Sequence, residues 1–555
     1  MPHKHVRHYS AKTADHVQSA AVRPAVDIMR YALLTAGTRG DVQPFIALAA
    51  SLTMRGHSVL LVAPAKFEPL ATDAMPRGAL SDGRFRFATC GMDAVPQPSE
   101  WFRHSSFVDV LKATRSEMRC SFATLAAAFW AACEPYRPHC VVAMSMSLQI
   151  GALIAERMHA ACWSVHFAPA VPSRHTLPAP APPGGALAQG AYCGLGGRMN
   201  YARHLVKFAR LALVAKGIYA DLLHCFKEET LGLTGGESLH EALERFHLPI
   251  LCAYSSTLAP RPPDWTSDVF STGPWTLTSR EEEEEEEEAP PGCEVLASFL
   301  AANRDAPPIC VGFGSLSEAG ASSLAYRIAL RVVALGHRVV VLGAMSNFPR
   351  AGLPDAAACV AERAPHAWLL PQCAALVHHG GAGTTVAALA AGIPAVIAPL
   401  LLWSDQPAWA DALVGCGAGA HLPQAGATDD AIDAALDAAL AAASRAAVVG
   451  EEVQREARCG ADAAAALLST PLRELLLRRR DRGGREGVAV VDDAFVARHC
   501  VVRAATRREG AVEDAVRRRR AAAAATEGKG RANRLLARHL ALVLVVVVTL
   551  AVCSV

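Results

Sequence analysis

YALLTAGTRGDVQPFIALAASLTMRGHSVLLVAP, residues 31–64, opens on a short apolar run that ends at Gly37. It continues as a segment with apolar residues at helical spacing, stops at Gly56 and closes on a second apolar run. Short apolar runs bounded by glycine read as buried strands, and the segment between them reads as an amphipathic helix, so the unit is β-α-β. A parallel strand pair of this kind needs helices on both faces, which predicts an α/β domain.

The alternation continues along the chain. HCVVAMS (139–145) reads as a strand, LQIGALIAERMH as a helix and ACWSVHFAP as a further strand, before prolines and glycines crowd residues 169–197. Eight consecutive glutamates at 281–288 repel one another and mark an exposed loop in the link between two domains. Beyond them the pattern restarts with PICVGFGS (308–315), the helical SLAYRIALRVVALGH, the strand RVVVLGA (338–344), and AWLLPQCAALVHHGG as loop, short helix and strand. TTVAALAAGIPAVIAPL (384–400) follows as helix, break and strand. The expected fold is α/β, with two Rossmann-like doubly wound domains facing across a cleft and ligands held beyond the carboxyl ends of the strands. The expected division is a mobile leader at 1–29, an acceptor-binding domain at 30–280, an acidic linker at 281–292, a nucleotide-binding domain at 293–480 and an Arg/Ala-rich tail at 481–555.

Composition narrows the function. With 555 residues, 52% of them apolar, the chain can bury a large core, and a net charge of +2 gives no reason to expect a nucleic-acid partner. Sixteen cysteines without a CxxC pair or a zinc-spaced Cys/His cluster fit reduced thiols in a cytoplasmic protein. The leader has no continuous apolar core, so it does not read as a secretory signal. LALVLVVVVTLAVCSV (540–555) would span about 24 Å as a helix, slightly short of a bilayer core. It reads either as a marginal tail anchor or as a low-complexity terminus.

ALVHHGGAGTT (375–385) carries the clearest chemistry. Gly380, Gly381 and Gly383 permit a tight turn and close approach of backbone to a ligand. Thr384 and Thr385 open the next helix, whose unpaired N–H groups and dipole favour a diphosphate. The spacing is neither a P-loop nor GxGxxG. Adjacent histidines on a strand point to opposite faces, so one of the pair is expected to meet ligand, and His379, next to the glycines, is the choice. Three other strand ends fall on the same cleft: Thr38, Arg39 and Asp41 in GTRGDVQP, Ser315 in GFGS, and Asp405 with Gln406 in WSDQPAW. Each has a bland alternative as a helix cap.

Together, TAGTRGDVQPFIALAASLTMRGHSVLLVAP, PRPPDWTSDVFSTGPW, VGFGS and WLLPQCAALVHHGGAGTTVAALAAGIPAVIAPLLLWSDQPAWADAL resemble the UDP-sugar-dependent glycosyltransferases of GT-B fold. Within these, they are most similar to the sterol 3-beta-glucosyltransferases and their bacterial glycopeptide- and macrolide-glycosylating relatives. The resemblance covers roughly residues 30–475 and implies inverting transfer of glucose from UDP-glucose to a hydroxyl. It implies Asp41 as general base, Thr38 and Arg39 in the same donor-facing loop, and Ser315 near the nucleotide. Trp368 would lie beside the uracil, His379 on the phosphate, Gly381, Gly383, Thr384 and Thr385 in the phosphate turn, and Asp405 with Gln406 on sugar hydroxyls. Single displacement needs one base behind the anomeric carbon and a stabilised diphosphate opposite it. A helix N-terminus and an imidazole can offset that charge, and no DxD stands at a strand end, so neither a metal nor any other cofactor is expected.

The chain departs from the family pattern in three places. PLLLWSDQ (399–406) is two residues longer than the family's PFFGDQ, which leaves room for a displaced Asp405. The glutamate run interrupts the linker, and PAVPSRHTLP (169–178) only loosely matches the family's TPTRAFP. The acceptor is less defined. Residues 101–133 and 201–223 read as helices with broad apolar and aromatic stripes, which suit either core packing or a wall for a sterol. Two other readings stand beside sterol glucosylation: transfer to another lipid or aromatic aglycone, and UDP-sugar binding without turnover. Contact with a membrane surface, peripheral or through the tail, is the expected location if the acceptor is a sterol.

Overall fold

The computed structural model describes residues 28–92, 107–171, 173, 217–233, 248–277, 289–314, 319–343, 348–423 and 427–470. The leader up to residue 27, most of the 169–197 segment, the starts of the two acceptor-side stripes (101–106 and 201–216), the glutamate run, Ser315 and the tail with its apolar end at 540–555 lie outside the described residues.

Two parallel sheets form the frame. The first has the order β3-β2-β1-β4-β5-β6-β7, built from β1 (Arg30–Leu34), β2 (Ser58–Ala63), β3 (Phe85–Thr89), β4 (Cys140–Met144), β5 (Ala161–His166), β6 (Ile250–Cys252) and β7 (Val269–Ser271). The second has the order β10-β9-β8-β11-β12-β13, built from β8 (Ile309–Gly312), β9 (Val339–Leu342), β10 (Ala358–Ala361), β11 (Ala375–His378), β12 (Ala395–Ile397) and β13 (Gly419–His421). Every described pairing is parallel. Period-two geometry sorts each strand between two cores. Tyr31 and Leu33 of β1 pack with the helix Arg39–Met54, whereas Ala32 and Leu34 pack with the helices Arg115–Tyr136 and Leu148–Met158. This two-sided burial explains why the strands read as unbroken apolar runs.

Strand order reverses between β1 and β4 and again between β8 and β11, and crevices at the carboxyl ends of such switch points are where open α/β sheets hold ligands. The helix that carries Asp41 in its first turn follows β1, and the HHGGAGTT turn starts at the end of β11. The sequence thus places its two strongest signals at the two switch points.

The helix Ala443–Leu468 joins the halves. Its first part lies on the helix Ala382–Ala390, so close that a Cβ on Gly450 would stand 2.1 Å from the Leu389 carbonyl oxygen. Its second part crosses back to the first domain, where Ala461, Ala464, Ala465 and Leu468 enter that core and a Cβ on Gly460 would stand 2.0 Å from the Pro274 oxygen. Tyr31 Oη donates to the Leu468 carbonyl at 2.9 Å, and the Glu456 carboxylate accepts from Ser255 Oγ and from the Thr257 N–H and hydroxyl. None of the described cysteines is joined in a disulfide, and among the described residues no helix is long and apolar enough to cross a membrane.

Because backbone rather than a flexible side chain opposes Gly460, relaxation there is expensive. Gly460→Ala is expected to cost about 1–3 kcal/mol by overpacking. Asp462→Ala on the exposed side of the same helix is expected to be near neutral, and thermal unfolding of the two variants checks the contrast.

Candidate active site

Asp41 stands in the first turn of the helix Arg39–Met54. Its Oδ2 accepts from the Thr38 N–H at 2.8 Å and from the Thr38 hydroxyl at 3.0 Å, so Thr38 is both the cap of the helix and the anchor of the carboxylate. Gly37 makes this possible. Its φ of +130° is one that L side chains rarely adopt, and a Cβ there would lie 2.3 Å from Asp41 Oδ2. Burial pushes the Asp41 pKa up to about 6; the two Thr38 bonds oppose the rise, and the nearby Asp405 carboxylate adds to it. The charge of a second-domain residue is thus felt at Asp41 of the first. Arg39 is exposed, is bonded to Gln43, and lies near enough to His366 of the second domain to help lower the imidazole pKa that desolvation already depresses.

On the opposite side, β11 ends in the two histidines. His378 is fully buried, and its Nδ1 accepts from the Gly380 N–H at 3.1 Å, so this imidazole staples the turn. His379 faces the other way. Its ring sits between Gly314 and Gly381, and a Cβ on Gly381 would stand 2.7 Å from His379 Nε2. Burial lowers its pKa to about 4, so it is neutral at physiological pH, and its Nδ1 is buried with no partner among the described groups. Gly380, at φ +94°, brings the turn against the next loop: a Cβ there would meet Ile397 at 2.7 Å and the Gln406 carbonyl at 3.0 Å. The helix Ala382–Ala390 then begins with Gly381 as its cap, leaving the first amides of the turn, through Thr384, without partners inside the helix.

Several expected residues sit differently from their simplest reading. Thr385 is 1% exposed and its hydroxyl donates to the Gly381 carbonyl, so it is a helix-interior residue and not a ligand contact; its place one step beyond Thr384 turns it inward. Gln406 is buried, and its Oε1 accepts from both the Leu400 and Leu401 N–H groups, which leaves only its amide NH2 for a sugar. Asp405, at the end of the longer loop, is desolvated, which raises its pKa; Trp409 Nε1 donates to its Oδ2 at 2.8 Å, and its charge lies near enough to Asp41 to act on it. Trp368 is half-buried on the short helix His366–Leu369, packed against the second core. Sequence reasoning overlooked His378 as a staple, Gly37 as clearance and Trp409 as a partner of Asp405. The alternation HHG and the i, i+4 spacing of Asp405 and Trp409 were the only signals of these roles.

Comparison with known proteins fits this arrangement. Residues 31–156 match the glycosyltransferase family 28 N-terminal domain, and residues 327–461 match the C-terminal domain of erythromycin biosynthesis protein CIII-like proteins. Among solved structures, the glycosyltransferase of kitacinnamycin aligns over 81% of this chain and 99% of its own, at 18% identity and a TM-score of 0.55. The calicheamicin glycosyltransferase aligns over the same shares, at 16% identity and a TM-score of 0.53. The chain therefore shares the GT-B fold of these glycosyltransferases, and its two matched segments are similar to the family 28 N-terminal domain and to the erythromycin CIII-like C-terminal domain. By sequence it is similar to the sterol 3-beta-glucosyltransferase of Pichia angusta, 30% identical over 72% of this chain, and to that of Saccharomyces cerevisiae, 28% identical over 72%. It is also similar to UDP-sugar-dependent glycosyltransferase 52 of Dictyostelium discoideum, 25% identical over 71% of this chain. The matched part spans less than a third of the length of each of these relatives: 30%, 31% and 23% respectively.

The raised pKa of Asp41 has a consequence for stability. The native state holds this proton up to about pH 6, whereas the unfolded chain releases it near pH 4, so the contribution of Asp41 to stability falls as pH rises through that window. Asp41→Asn removes this cost. Its unfolding midpoint is expected to exceed that of the wild type by several degrees at pH 7.5, with the gain vanishing at pH 4, as paired thermal melts would show.

Proposed function

We propose that the protein is an inverting glycosyltransferase that moves glucose from UDP-glucose to the 3-hydroxyl of a sterol, forming a steryl β-glucoside and UDP. The observation that carries this reading is the buried Asp41 carboxylate, its pKa raised to about 6 and Asp405 of the second domain near enough to add to the rise. The names of the sequence relatives supply the sterol and the UDP-sugar.

In this reading the acceptor hydroxyl donates its proton to Asp41 as its oxygen bonds to the anomeric carbon. The bond from that carbon to the diphosphate oxygen breaks on the opposite face, and the electron pair leaves with UDP. The amides of the Gly381–Thr384 turn and the His379 imidazole stabilise the departing charge, so the reaction asks for no metal. A carboxyl that burial has made more basic is a better proton acceptor near neutral pH than an ordinary aspartate. Trp368 stacks on the base, and Asp405 and the Gln406 amide hold sugar hydroxyls. A sterol acceptor implies work at a membrane surface, for which the apolar stretch 540–555 is the candidate contact.

The test is mass spectrometry of products from UDP-glucose and a panel of sterols, other lipids and aromatic alcohols. Steryl glucoside is the expected product; UDP binding without any glucoside would sink the proposal, and glucosylation confined to non-sterol acceptors would replace its acceptor. Asp41→Asn is expected to lower kcat by about 10²–10⁴ while leaving UDP affinity intact. In the wild type, kcat/KM should fall about tenfold per unit as pH drops below about 6, because the base is then protonated.

A further inference from the structure

The sugar-side carboxylate is held by a residue that the proposed reaction does not otherwise use. We infer that Trp409 is the positioning residue for donor-sugar selection: it fixes Asp405 through its indole N–H, and is itself seated by Tyr254 of the first domain. This inference rests on the proposed UDP-sugar transfer and specifies how the sugar is chosen.

Three observations support it. Trp409 Nε1 donates to Asp405 Oδ2 at 2.8 Å, and Trp409 is 2% exposed, so the donor is locked in the core. Its ring meets that of Tyr254, which follows β6, at 5.9 Å and 65°, an edge-to-face contact that crosses from one domain to the other. Asp405 lies close enough to Asp41 for the two like charges to act on one another, so an untethered Asp405 side chain would rotate away from the cleft. The indole N–H opposes that rotation. In the proposed reading the uracil meets Trp368 and the diphosphate the Gly381–Thr384 turn, so Trp409 and Asp405 separate sugar reading from nucleotide binding. A polar site built for one hydroxyl discriminates strongly only while its groups are held in place.

Trp409→Phe keeps the ring and removes the N–H. Calorimetry with UDP and UDP-glucose, and kcat/KM with UDP-glucose and UDP-galactose, are expected to show unchanged UDP affinity and about tenfold weaker UDP-glucose binding, the effect of losing one charge-assisted hydrogen bond. The preference between the two sugars should shrink by a similar factor, with KM rising more than kcat falls. In an Asp405→Asn background the same substitution should add nothing, because Trp409 acts through Asp405. Equal weakening of UDP and UDP-glucose, or an undiminished effect in the Asp405→Asn background, would show that Trp409 only supports the fold and would overturn the inference. If the phenylalanine variant does not fold, Trp409→Tyr enters the same cycle with the same expectations. A wild-type protein that binds neither UDP nor UDP-glucose would instead overturn the transfer reading, and this inference with it.

Discussion

Backbone contact between one helix and both domains sets the relation on which the site depends. Gly450 and Gly460 leave no room for a side chain against the Leu389 and Pro274 carbonyls, so the helix Ala443–Leu468 lies nearer to each half than any other residue would permit. At 26 residues this helix is about 39 Å long, enough to run along both domains as one rigid element. Glu456 adds specificity, because its carboxylate fits only where Ser255 and Thr257 present their donors. Once the helix is seated, the carboxyl ends of the two sheets oppose one another, and Asp41 reaches the neighbourhood of Asp405.

That placement carries an electrostatic cost that ordinary packing would avoid. Burial raises the pKa of Asp41 and the Asp405 carboxylate from the other domain adds to the rise, while burial also strips His379 of the positive charge that could have offset it. The fold tolerates the arrangement because Asp41 is anchored by Thr38 and Asp405 by Trp409. A site that holds its polar groups in a costly arrangement before substrate arrives needs little reorganisation during reaction.

Much of this was legible in the sequence. Unbroken apolar runs such as VVVL and CVVAM can bury both faces, so parallel strands followed directly, and turn residues after β1 and β11 marked the cleft. Other features were hidden because they depend on distances between remote segments. The chain order places the last helix after the second sheet, and nothing in its alanine-rich composition says that its final residues complete the first domain's core. The two histidines could be told apart by strand alternation, but the bond from the Gly380 N–H that makes His378 a staple could not. Thr385 looked equivalent to Thr384 as a letter, and the helical turn separates them: one stays near the cleft and the other donates to Gly381.

The lengthened loop before Asp405 shows how the fold absorbs a change that the sequence leaves open. Leu400 and Leu401 turn into the core at 2% and 6% exposure, and their N–H groups bond to Gln406 Oε1. Ser404 closes the turn by donating from its N–H and its hydroxyl to the Leu401 carbonyl, while its hydroxyl oxygen receives the Gln406 N–H. The extra residues are therefore taken up between two fixed points. One is the apolar core beneath β12, and the other is the start of the helix Gln406–Gly415, where Gly380 meets the Gln406 backbone. The helix start is therefore pinned both from the histidine turn and through the loop, and the side chain that engages the loop amides is Gln406, whose amide oxygen is fully used in doing so.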